Sequence, residues 1–198
     1  MPEVVLFDLF GVIARNQAPE AVHALTEIAG AAAPAFLDAY WRHRPPYDRG
    51  QCTATAYWQR VALDLGTTFD TSRIANLIAA DTDSWGAVDD DMVTLIERAA
   101  ASGVRLALLS NIPEELAAHY EQHHRRWMRH FELVAFSCRI GRAKPDPEAF
   151  RWCARELGAD PGHILFIDDR AENIAVAGRL GMRTHLFTGP ARLKGVTT

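Results

Sequence analysis

An α/β fold, with a doubly wound parallel sheet and a small helical cap inserted near its start, is predicted for this 198-residue chain by two patterns. Five short apolar runs are continuous rather than alternating, as expected of strands covered on both faces in a parallel sheet. Helical periodicity lies between the later runs, so strand alternates with helix and βαβ crossovers follow.

The strands are expected at 4–10 (VVLFDLF), 104–111, 133–137, 163–169 and 183–187. The stretch DDDMVTLIERAAASG opens on acids, repeats apolar residues at Met92, Leu95, Ile96 and Ala99, and stops at Gly103, which are the marks of a helix. In DPEAFRWCARELG, Asp146 is placed to cap, Pro147 to occupy the first turn and Gly158 to end the helix. From about 16 to 85 the pattern is helical, with Leu25, Ile28, Phe36, Leu37, Tyr40 and Trp41 at the right spacing. AGAAAPA reads as a turn between two helices, RPPYDRG as a chain break, and TATAYWQRVALDLG as a resumed helix. The expected organisation is a core of 1–15 and 86–198 around a cap of 16–85.

With 48% apolar residues and a net charge of −4, the chain reads as an ordinary globule rather than a nucleic-acid-coating protein. Cys52, Cys138 and Cys153 are widely spaced and form no C-x-x-C pair, so reduced packing cysteines are expected. The start MPEVVLFDLFG has no basic segment before its apolar run, and no stretch reaches the roughly 18 apolar residues of a membrane span. A cytoplasmic protein with a small-molecule partner, and with neither nucleic acid nor membrane, is expected. It would be a monomer or a homodimer, with Trp41 or Trp58 as exposed cap aromatics to support pairing.

In doubly wound sheets the ligand lies beyond the carboxyl ends of the strands. Asp8 closes the first strand, Ser110 and Asn111 the second, Asp168 and Asp169 another, and Lys144 precedes the helix at Pro147. Singly, each has an ordinary reading as a turn former, a cap or a solvated lysine. Together they bring three carboxylates, a hydroxyl and an ammonium to one edge.

In order and at fitting distances, FDLFGV, LLSN, GRAKPDPEAF and FIDDRAENI resemble the four motifs of the haloacid dehalogenase-like hydrolase superfamily. The last two motifs, with AGRLGM following, are most similar to the branch of sugar-1-phosphate phosphatases and the N-terminal phosphatase domain of soluble epoxide hydrolases. The resemblance implies a Rossmann-like core and Mg²⁺ as cofactor. It makes Asp8 both nucleophile and metal ligand, the main-chain carbonyl of Phe10 a second ligand and Asp169 a third, with Asp168 binding directly or through water. Ser110, the amide of Asn111 and Lys144 would hold the phosphoryl oxygens. Such chemistry needs those groups because a carboxylate approaches a phosphate dianion only when a hard cation cancels their repulsion, and magnesium prefers oxygen ligands.

One position departs from the family pattern. Phosphatases of the family carry a second aspartate two residues after the nucleophile, where this chain has Phe10. General acid-base help is worth about 10² to 10⁴ in rate. The favoured reading is a phosphatase that uses a better leaving group such as an anomeric oxygen, a substrate hydroxyl, or a side chain from the cap. A metal-independent 2-haloacid dehalogenase is the alternative, since a halide needs no proton and family dehalogenases carry an aromatic residue there. Against it, Asp168 and Asp169 beside Asp8 would repel one another without a cation. A further alternative is an inactive phosphate- and metal-binding module.

The cap stretch YWRHRPPYDRG gathers Arg42, His43, Arg44, Tyr47 and Arg49. Arg44 and Tyr47, nearest the bend, are the candidates for holding the rest of an anionic substrate, while the other arginines read as snorkelling side chains. His119 and His123 stand at i and i+4, a zinc-compatible spacing, but a solvated helix face is preferred there. Neither G-x-G-x-x-G nor G-x-x-x-x-G-K-[ST] occurs, so no dinucleotide or nucleoside-triphosphate loop is expected.

Overall fold

A computed structural model describes residues 3–193; the ends of the expected core, 1–2 and 194–198, lie outside them. The strands β1 (Val4–Phe7), β2 (Arg105–Ser110), β3 (Phe131–Phe136), β4 (Ile164–Asp168) and β5 (Arg183–Leu186) form one parallel sheet in the order β3-β2-β1-β4-β5. Strand order therefore reverses beside β1, and the crevice at such a reversal is where a doubly wound sheet holds its ligand. β1 is shorter than its apolar run, so Asp8 to Phe10 belong to the loop beyond it.

In β1, β2 and β4 side chains alternate between two layers. Val5, Phe7, Leu106, Leu108, Leu165 and Ile167 face one side, and Val4, Leu6, Ala107, Leu109, Ile164 and Phe166 the other. Between β1 and β2 lie α1 (Pro19–Ala29), α2 (Ala33–Asp48), α3 (Ala54–Asp64), α4 (Thr71–Ser84) and α5 (Asp90–Ala101). The rest are α6 (Glu114–His123), α7 (Arg125–Met128), α8 (Ser137–Ile140), α9 (Pro147–Leu157) and α10 (Ala171–Arg179). The first face packs on α5, α6 and α7 through Met92, Ile96, Leu116, Tyr120 and Trp127, the second on α9 and α10 through Phe150, Cys153, Leu157 and Ala177. Helices α1 to α4 build a separate apolar cluster around Phe36, Tyr40, Tyr57, Trp58 and Leu77.

The helix signals at Asp89, Asp146 and Gly158 act as expected. Asp89 accepts from the amides of Asp91 and Met92, Asp146 accepts from that of Glu148, and Gly158 turns left-handed at the end of α9. Three expectations are corrected. RPPYDRG does not break the chain: α2 runs through Pro45 and Pro46 to Asp48. Each proline removes one amide donor, but less than a turn remains beyond them, and Arg44 and Tyr47 on either side are buried. Trp58 is fully buried and offers nothing to a dimer, whereas Trp41 is 49% exposed. The stretch 119–130 is no single solvated helix, because the chain breaks at His124 and both Tyr120 and Trp127 are buried. All three cysteines are free, with Cys153 buried. Among the described residues, no helix is long and apolar enough to cross a membrane.

Candidate active site

Sheet register brings the acids together. Phe7 lies opposite Ile167, and the Asp8 amide donates to the Ile167 carbonyl at 2.9 Å, so Asp8 and Asp168 leave adjacent strands at one level. Oxygens of Asp8, Asp168 and Asp169 all lie within 4.8 Å of one another. Lys144 Nζ stands 2.6 Å from Asp8 Oδ1 and 2.8 Å from Asp168 Oδ2, and all three side chains are buried. The Leu9 amide donates to the same Asp8 oxygen at 2.6 Å.

The remaining groups divide into those already occupied and those left open. Asp168 accepts from Lys144, from the Arg170 amide at 2.8 Å, and from Asn173 Nδ2 at 3.0 Å on each oxygen. Asp169, half-buried beside it, closes over the loop after β1. Gly11 there has φ +79°, and a Cβ on it would fall 2.2 Å from Asp169 Oδ2, so only glycine suits both the backbone and the space. Asn111 uses its side chain to pin the Lys144 loop, donating to the Lys144 carbonyl at 2.7 Å and accepting from the Lys144 amide at 2.8 Å. Ser110 Oγ, at the end of β2, is fully buried, does not line the cleft and has no hydrogen-bond partner.

One ammonium cannot neutralise three carboxylates. Burial pushes the Asp8 carboxyl up to about 7, with the Asp168 charge adding and Lys144 opposing. Burial also raises Asp169, helped by Asp168 and resisted by Lys144. For Lys144, burial alone would lower the pKa, but Asp8 and Asp168 outweigh it and hold the ammonium charged. Surplus negative charge on hard oxygen donors suits a divalent cation such as magnesium. The Phe10 carbonyl is available to it, since the bridge between Phe10 and Ala14 uses the backbone of Leu9 and Gly11 instead. These residues fit the ion.

Above the acids lies a cleft of about 190 Å³, lined by Asp8, Asn111 and Asp169 from the strand ends, by Lys144 from the loop before α9, and by Trp41, Arg44 and Asp48 from α2. Phe10 forms part of its wall, meeting Trp85 edge-on at 4.9 Å between centroids and Tyr120 at 5.9 Å. Arg44 reaches the cleft, but its guanidinium donates to Asp48 Oδ1 at 2.7 Å, to Asp81 Oδ2 at 2.9 Å and to the Tyr40 hydroxyl. Tyr47 does not line the cleft. Its hydroxyl donates to Glu115 at 2.8 Å, and its ring stacks on Tyr57 at 4.5 Å. Arg42 and His43 both meet Asp64 at 2.9 Å. The rings of His119 and His123 stack at 4.3 Å, and among the described residues the only cluster with metal-ligand spacing is that of Asp8, Asp168 and Asp169.

Sequence reasoning missed Asp48, Trp85 and Asn173, and it weighed Trp41 only as a surface aromatic. Asn173 had a signal, since it follows Asp169 by four residues, about one helical turn. Asp48 and Trp85 had none, because only the packing of α2 and α4 over the strand ends brings them to the cleft.

The haloacid dehalogenase-like hydrolase family matches residues 2–181. Bifunctional epoxide hydrolase 2 of Sus scrofa is 39% identical over 57 residues, which cover 29% of this chain and 10% of that protein. Among solved structures, a HAD-family enzyme of Bacteroides thetaiotaomicron in complex with magnesium and inorganic phosphate shares the fold, with a TM-score of 0.75, 21% identity and 93% of each chain covered. So does L-2-haloacid dehalogenase of Xanthobacter autotrophicus with chloropropionic acid covalently bound, at a TM-score of 0.69 and 16% identity, over 100% of this chain and 83% of that one. The fold is thus common to a protein that holds magnesium and phosphate and to a dehalogenase.

Proposed function

The chain belongs to the haloacid dehalogenase-like hydrolases, and from that premise we propose that it is a magnesium-dependent phosphatase of small phosphate esters, sugar phosphates among the candidates. Residues 16–85 would act as a cap over a core of 1–15 and 86–198. The observation that carries this reading is the excess of buried carboxylate, three acids around one lysine. A dehalogenase has no use for that surplus. Phe10 in the cleft wall favours the dehalogenase alternative, but Asp168, whose charge adds to burial in raising Asp8, would oppose ionisation of a metal-free nucleophile.

Asp8, Asp169 and the Phe10 carbonyl would hold the ion directly, and Asp168, whose oxygens already accept four hydrogen bonds, would reach it through water. When bound, magnesium supplies charge neutralisation to the nucleophile and the phosphoryl oxygens. Asp8 Oδ1 is held by Leu9 and Lys144, leaving the other oxygen to attack phosphorus. Lys144 and Ser110 Oγ then bind phosphoryl oxygens, which gives the buried hydroxyl its missing partner. Asn111 holds the Lys144 loop in register. Transfer leaves an aspartyl-phosphate on Asp8, which water hydrolyses.

The test is phosphate release from p-nitrophenyl phosphate with magnesium or chelator, with halide release from 2-chloropropionate in parallel. Turnover should require magnesium and fall by about 10⁴-fold or more in Asp8→Asn, the scale seen on removing a nucleophile. Halide release in chelator would transfer the assignment to the dehalogenase.

A further inference from the structure

On this phosphatase reading the departing oxygen has no proton donor at position 10. Resting on that reading, we infer that Asp48, in the last turn of α2, is the acid that protonates the leaving group and then the base that activates water. Asp48 lines the same cleft as Asp8 and Phe10. Its position is fixed against the core at three points. Its carbonyl accepts from Ser137 Oγ at the start of α8, the adjacent Tyr47 donates to Glu115 of α6, and Gly50 packs so tightly on the Cys138 carbonyl that a Cβ would fall 2.3 Å from it.

Charge counting places a proton on this side chain. Among the described residues, Arg44 is the single cation in salt-bridge contact with the half-buried Asp48 and the buried Asp81. One guanidinium for two carboxylates leaves uncompensated charge in a low-dielectric setting, which a retained proton relieves. Asp81 is the better-served anion, accepting from Arg44 at 2.9 Å and from the Tyr40 hydroxyl at 2.6 Å. Asp48 accepts from Arg44 through Oδ1 alone, and among the described residues no side chain donates to Oδ2. The Asp48 side chain is 15% exposed against 7% for Asp81, which opens that oxygen to the cleft. The proton therefore belongs on Asp48 Oδ2. Burial raises the pKa of Asp48, Arg44 and Arg49 oppose it, and Asp81 from α4 adds to it. From α6, Glu115 faces the same turn through Tyr47.

The two steps then balance. Asp8 bonds to phosphorus as the ester P–O bond breaks, and the departing oxygen takes the Asp48 proton, giving free alcohol and phosphorylated Asp8. Asp48, now a carboxylate, takes a proton from water as the water oxygen bonds to phosphorus. The bond from Asp8 breaks, inorganic phosphate leaves, and both side chains are restored.

The test compares ethyl phosphate with p-nitrophenyl phosphate across pH in magnesium, for the wild type, Asp48→Asn and Asp81→Asn. Asp48→Asn should slow the alkyl ester by about 10² to 10⁴-fold and the aryl ester by less than about tenfold, because nitrophenolate leaves without a proton. It should also remove the fall in alkyl turnover at high pH. Asp81→Asn leaves Arg44 wholly to Asp48, so that fall should move to lower pH. Equal losses on both esters in Asp48→Asn, or a limb that Asp81→Asn does not move, would overturn the role of Asp48 while leaving the phosphatase standing. A wild type that hydrolyses neither ester sinks both.

Discussion

The molecule buries charge in two places and treats it differently. In the α1–α4 layer, Arg44 spends its donors on Asp48, Asp81 and Tyr40, and Trp85 Nε1 donates to the same tyrosine hydroxyl at 3.1 Å. At the strand ends, Lys144 faces three acids, Ser110 Oγ bonds to nothing, and Asp169 leans over a glycine. The first cluster joins helices and, among the described residues, is closed except at Asp48 Oδ2. The second is open by design of its donors: negative charge without a counterion and a buried hydroxyl without an acceptor mark where a cation and an anionic ligand belong. Burial alone does not separate structure from function; unspent hydrogen-bonding and charge capacity does.

The contrast would be broken most sharply at Arg44. Removing one partner of a buried ion pair costs about 3 to 5 kcal/mol, so Arg44→Met should lose stability on that scale in urea melts while calorimetry shows magnesium affinity little changed. A stable Arg44→Met protein with weakened magnesium binding would reverse the two roles. The next effect concerns pH. With its pKa near 7, folded Asp8 keeps its proton where the unfolded carboxyl, near 3.8, has lost it. The folded chain then binds more protons than the unfolded one, and stability falls as pH rises between those values. In chelator, the wild type should lose about 2 kcal/mol between pH 5 and 8 relative to Asp8→Asn, and a parallel pair of melting curves would refute this. Smallest is Ser110→Ala, which removes an unsatisfied hydroxyl. Stability should hold or rise by about 1 kcal/mol while affinity for inorganic phosphate in magnesium drops several-fold; a loss of both would make Ser110 a packing residue.

Much of the strand-end site is legible in the sequence, because an apolar run that stops at a polar residue gives both the strand and the group at its end. Asp8, Ser110, Asn111, Asp168 and Asp169 are all found that way, since strand order and register do the rest, while Lys144 is found from the loop before the helix at Pro147. The wall contributed by α2 is not. Pro45 and Pro46 look like a break in one dimension, and only the burial of Arg44 and Tyr47 shows why the last turn survives. Trp58 is read as outward-facing and Tyr47 as substrate-facing because amphipathic spacing cannot say which neighbours cover a helix; Trp58 lies in the aromatic cluster and Tyr47 reaches for Glu115. Asp48 is invisible for the same reason.

The pins that fasten the end of α2 to Ser137, Glu115 and Cys138 also decide the direction of traffic. A lever fixed at one end swings at the other, so a swing of α2 would widen the mouth on the side where Trp41 meets solvent and keep Asp48 in the cleft it shares with Asp8. Ligand exchange would then run past the tryptophan while Asp48 stays in place.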